Sequence, residues 1–162
     1  MTLNQKQIER LRFLGRVVRK ESEYLKQTDA RLFAMPFNTK MIARLEADAA
    51  LAEQVEAFVG RFGRLQDTLG DKFLPALIDA AGESAAPLMD NMARAEKWGW
   101  IASVDDWFAM RQLRNQMVHE YIEDPVVLSS ALNAGHDFVP VLCAAATRFM
   151  EEAEHRLIAA TK

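Results

Sequence analysis

Apolar residues in this chain recur with the period of an α-helix, and that constrains the fold more than any other feature. In the first segment Ile8, Leu11, Leu14, Val18 and Leu25 follow at steps of three, four and seven. Such steps draw one apolar stripe down a helix, here from about Asn4 to Thr28. A second segment, Thr39 to Asp67 or beyond, repeats the pattern through Met41, Leu45, Leu51, Val55, Phe58, Phe62 and Leu65. No stretch shows a convincing period of two.

Punctuation falls between the periodic runs. Pro36 ends the first helix, and Asn38 or Thr39 caps the second. Pro75 opens a short helix that stops near Gly82, and Pro87 opens another that Gly99 closes. Ser103 is a good N-cap for a helix reaching Glu123, with Asp105 and Asp106 complementing its dipole. Asp124–Pro125 stops that helix, and a last one runs from about Pro125 to Ala160, with a kink expected at Pro140. Gly60, Gly63 and Gly70 each weaken a helix by about 1 kcal/mol relative to alanine, so each marks a close helix contact or a break. The pattern predicts an all-α fold. It is an antiparallel four-helix bundle with one or two short extra helices, in a single domain over residues 1–162.

Composition narrows the function classes. A net charge of −3 over 162 residues gives no overall attraction to nucleic acid or anionic lipid, so such binding needs a local basic patch. Cys143 is the only cysteine and sits among Val141, Leu142 and Ala144, which suits a buried thiol. Three scattered histidines make no zinc ligand set. No metal or cofactor is expected. The N-terminus is too interrupted by charge for a signal peptide, and no apolar run suggests a membrane span. A cytoplasmic location without membrane contact is the expectation.

The stretch RNQMVHEY, Arg114 to Tyr121, is where chemistry concentrates. Met110, Leu113 and Met117 form the apolar row of that helix, which leaves the polar residues on its flank. At 100° per residue Arg114 and His119 point about 140° apart. An arginine fork matches a phosphate and stays charged. A histidine moves a proton near neutral pH. Asparagine orients a neighbour or binds a phosphate oxygen. Together these groups suffice for RNA to cleave itself, its 2′-OH attacking the adjacent phosphorus. The same residues also suit structural roles: His119 capping the helix's last carbonyls, Tyr121 as a core-edge aromatic.

Arg-Asn-x-x-x-His-x-Tyr resembles the signature of HEPN domains, specifically the HepT-like toxins of bacterial toxin–antitoxin pairs. Arg114, Asn115, His119 and Tyr121 fill its positions. Upstream, Phe58 to Leu77 resembles the family's second-helix region and Ala93 to Tyr121 its path into the motif, so the likeness covers roughly Phe58 to Val127. The resemblance implies an all-α homodimer with the two motifs meeting in a cleft at the interface. It implies a metal-independent RNase in which Arg114 holds the scissile phosphate, His119 is the acid/base and Asn115 assists. It implies a cognate minimal nucleotidyltransferase antitoxin that silences the toxin by adenylylating Tyr121. The alternative is a non-catalytic substrate-binding or adaptor subunit of a nucleotidyltransferase.

Other residues stay open between two roles. Asp67 either helps orient the site or makes a surface ion pair. Arg61 and Arg64 either extend a basic groove or pair with Glu56 or Asp67. Arg12, Arg16, Arg19 and Lys20 either track an RNA backbone or form a solvated face paired with Glu9, Glu21 and Glu23. His136 suggests a turn or helix start, and His155 a charged face. Trp98 and Trp100 suggest packing or an interface, and Met89, Met92 and Met110 core filling.

Overall fold

The computed structural model describes residues 2–35, 37–119 and 123–161. Pro36 and the motif's Tyr121 therefore lie outside the described residues. All regular structure among the described residues is helical.

Helix α1 spans Gln5–Leu32. Asn4 starts it with a capping box, its side chain accepting from Gln7 N while the Gln7 side chain accepts from Asn4 N. The anticipated stripe is the buried one: Leu11, Leu14, Val18 and Leu25, continued by Leu32. It faces α3 (Ala49–Asp67) and α7 (Pro125–Ala160). Helix α6 (Val104–His119) packs against α3 and α7, with Met110 and Met117 buried. Shorter helices α2 (Thr39–Ala43), α4 (Leu74–Ala80) and α5 (Leu88–Lys97) complete the fold. Phe58, Phe62, Phe73, Trp107 and Phe149 fill the core.

Two segment boundaries differ from the periodic reading. The second segment is not one helix, because turns over residues 44–47 part α2 from α3. Asp48 starts α3 afresh, accepting from Leu51 N at 3.0 Å, a cap that outcompetes helix continuation. Nor does Pro75 open a separate helix. The chain runs from α3 through a π-helical turn, Thr68–Phe73, directly into α4. Leu74 N donates to Leu69 O, five residues back, and this wider register precedes a proline that has no N–H to give.

Local signals elsewhere act as their residue types require. Asp106 N bonds the Ser103 hydroxyl at 3.1 Å, and Asp124 accepts from Val126 N and Val127 N. Met92 and Met110 are core residues, but Met89 is 69% exposed, so it fills no core. Cys143 is buried, and that burial raises its thiol pKa. Helix α7 is long and apolar enough, by length and composition, to cross a membrane, with 44% of its 18-residue window buried. In this fold its apolar side packs on α1, α2 and α6.

Trp98-Gly99-Trp100 is a helix stop. Gly99 has φ +77°, Trp100 N donates to Ala95 O at 2.8 Å, and Gly99 N donates to Glu96 O at 3.1 Å. This is a Schellman closure. It turns Trp100 into the core at 4% exposure, its ring edge-on to Trp98 with centroids 4.9 Å apart. A Cβ at Gly99 would meet nothing within 4 Å, so only the left-handed backbone resists a side chain there. Gly99→Ala should therefore cost about 1–2 kcal/mol, read as a lower urea midpoint at unchanged m-value.

Candidate functional site

The centre of the site is a contact between α3 and α6. Arg114 leaves α6 on the side facing α3, and its Nη1 donates to Asp67 Oδ1 at 2.5 Å. Its stem crosses α3 at Gly63. A Cβ built there would lie 2.7 Å from Arg114 Nε and 3.1 Å from Cδ. Glycine thus makes the seat on which the arginine lies. One residue before Asp67, buried Gln66 donates its amide to the Met110 carbonyl at 3.1 Å, one helical turn before Arg114. Gln66 and Asp67 thus tie α3 to α6 at two successive positions.

Asp67 is itself held from behind. It is the last residue of α3, and the π-helical turn begins at Thr68. The Thr68 hydroxyl donates to Glu21 Oε1 at 3.0 Å, tying the turn to α1. Burial pushes the Glu21 carboxyl above its ordinary pKa, outweighing the Thr68 bond and the charges of Arg64 and Lys72.

The Arg114 side chain remains 32% and that of Asp67 41% exposed. An ion pair at that exposure contributes little to stability, so its consequence is geometric. A guanidinium carries five N–H donors. One is engaged by Asp67, which aims the fork and leaves donors for an anion. Asn115 and His119 are exposed at the end of α6 and make no side-chain hydrogen bond among the described residues. A recess of about 760 Å³ between α1 and α4 is lined by Asn4, Gln7, Arg10, Lys72 and Asp79 among others, and by no motif residue. Of the described motif residues, Asn115 and His119 are exposed and Arg114 is half-buried.

Several other assignments change. Asp67 is committed to Arg114, so it does not serve Arg61 or Arg64. Arg61 bonds the Thr28 hydroxyl and, at 3.0 Å, the Tyr24 carbonyl. Arg12, Arg16, Arg19 and Lys20 make no ion pair with Glu9, Glu21 or Glu23 among the described residues. His136 is neither in a turn nor at a helix start. It lies inside α7, its Nδ1 2.6 Å from Asp29 Oδ1 and its ring stacked on Phe33 at 4.4 Å. Gly63, Gln66 and Glu21 escaped the sequence as site residues. The four-residue step from Gly63 to Asp67, which puts both on one helix face, is the signal that was available.

Neither a family model nor a curated protein nor a solved structure matches the chain.

Proposed function

We propose that this chain is a HepT-like HEPN ribonuclease toxin. In this reading its long helices form the family's four-helix bundle, and it cleaves RNA without a metal at a cleft between two copies. The observation that carries the reading is Arg114, seated on Gly63 and aimed by Asp67 beside exposed Asn115 and His119 on the same helix.

The chemistry follows from the groups. Arg114 binds the scissile phosphate and stabilises the charge that grows on its oxygens as the 2′-OH attacks. One His119 takes the 2′-OH proton, and His119 of the other copy delivers a proton to the departing 5′-oxygen. The products are a 2′,3′-cyclic phosphate and a 5′-hydroxyl. Asn115 supports the phosphate or the imidazole. Exposed Val118, within the motif, and exposed Val126, five residues after Tyr121 in the sequence, favour a second copy covering this end.

Regulation belongs to the same proposal. A partner nucleotidyltransferase transfers AMP from ATP to the Tyr121 phenol, releasing pyrophosphate. The new negative charge and bulk then occupy the place of the RNA phosphate. The pair acts in the cytoplasm.

Purified protein should cleave single-stranded RNA in excess EDTA and leave 2′,3′-cyclic phosphate ends. A folded, unmodified dimer that leaves RNA intact overturns the ribonuclease reading and leaves the adaptor subunit in its place.

A further inference from the structure

An exposed stripe on α1 is unused by the site described above. Phe13, Lys20, Tyr24 and Arg31 are all exposed, and at 100° per residue they fall within about 40° of one another around the helix. Phe13 is 49% and Tyr24 48% exposed. Aromatic rings alternating with cations on one helix face supply groups that can stack on bases and meet phosphates.

At Tyr24 the stripe meets α3. Arg61 reaches across from α3, and one guanidinium nitrogen, Nη1, donates to both the Tyr24 carbonyl and the Thr28 hydroxyl. Its guanidinium carbon lies 5.4 Å from the Tyr24 ring centroid. The two anchors hold a planar cation against a half-exposed ring, with further donors left on the fork. A recess of about 270 Å³ continues from there between α1 and α3, lined by Thr28, Arg31, Gln54 and Arg61, with Glu53 the acid among its lining. Arg31, Arg61 and Arg64 make no ion pair among the described residues.

We propose that Tyr24 and Arg61 form a base-stacking subsite for single-stranded RNA, on the opposite flank of α3 from Arg114. The inference rests on the ribonuclease reading and adds a place where the single strand is held. Arg61 and Gly63 are two residues apart on α3, and Gly63 is where Arg114 lies. A helix with its side chains is about 10 Å wide, so a base at Tyr24 and a phosphate at Arg114 belong to one strand, a few nucleotides apart. The ring accepts only a base whose face is free. In a duplex both faces of each base are covered by neighbours, so an unpaired segment is the substrate.

The test is binding of a short fluorescent single-stranded RNA to the His119→Ala chain, followed by anisotropy, beside the same RNA annealed to its complement. Adding Tyr24→Ala should weaken single-strand binding about tenfold, as should Tyr24→Leu, which keeps an apolar side chain, while Tyr24→Phe stays within about twofold. The duplex should bind more weakly than the single strand. Unchanged affinity in folded Tyr24→Ala or Tyr24→Leu, or equal affinity for the duplex, overturns the subsite while the nuclease reading stands. If the His119→Ala chain binds no RNA and the wild type cleaves none, both ideas fall together.

Discussion

His119→Ala is expected to lower the rate of RNA cleavage by about 10²–10⁴-fold, the usual contribution of a positioned acid/base group. The structure makes this a clean experiment. His119 is exposed at the end of α6 and makes no side-chain hydrogen bond among the described residues. Its loss removes no core contact, so the unfolding midpoint should stay where it is. Substrate affinity should also hold, because the phosphate is gripped by Arg114 rather than by the imidazole. The signature is therefore a fall in kcat with little change in KM. A variant that cleaves as fast as the parent removes His119 from the chemistry.

The second large effect comes from a residue that touches no substrate. Gly63→Ala should reduce cleavage by about 10²-fold, because a misplacement near 1 Å at a phosphate-binding group carries that penalty. The added methyl would stand 2.7 Å from Arg114 Nε, closer than any tolerated contact. Something must move. The obstructing atoms belong to a long, partly exposed side chain, so Arg114 swings away and the backbone stays. Its bond to Asp67 is then lost, and with it the aim of the fork. Stability should move the other way. Alanine is favoured over glycine inside a helix by about 1 kcal/mol, and a pair this exposed gives little back. A variant that is equally or more stable, folded and slow would tie the arginine's placement to function. Full activity in Gly63→Ala would show that the Arg114 position seen here is not the working one.

These two substitutions also separate what each kind of information reaches. The His119 experiment follows from a motif seven residues apart at its ends, readable on paper from helical spacing. The Gly63 experiment required knowing which helix lies against which. Gly63 stood out in the sequence only as a weak helix former, with a close contact and a break equally consistent with it. Gly60, three residues earlier, looks the same on paper, yet a Cβ there would meet nothing within 4 Å.

The sequence by itself determined whatever depends on neighbours within about two helical turns. The apolar stripe of α1, the Ser103 and Asp124 caps, the stop at Gly99 and the polar flank of α6 are all of this kind. Each follows from side chains and backbone groups at most seven residues apart from the next, and the chain order alone sets those distances. Tertiary structure decided the partners. Arg114 and Asp67 are 47 residues apart, and His136 and Asp29 are 107 apart. Which acid an arginine meets depends on the rotation and height at which two helices pack. Those are set by the summed fit of buried side chains such as Phe62, Leu65, Met110 and Met117, not by the charged residues themselves. The π-helical turn after Asp67 is of the same origin. Local propensity favours the α register, and at the start of the wider one the Thr68 hydroxyl bonds Glu21 on α1.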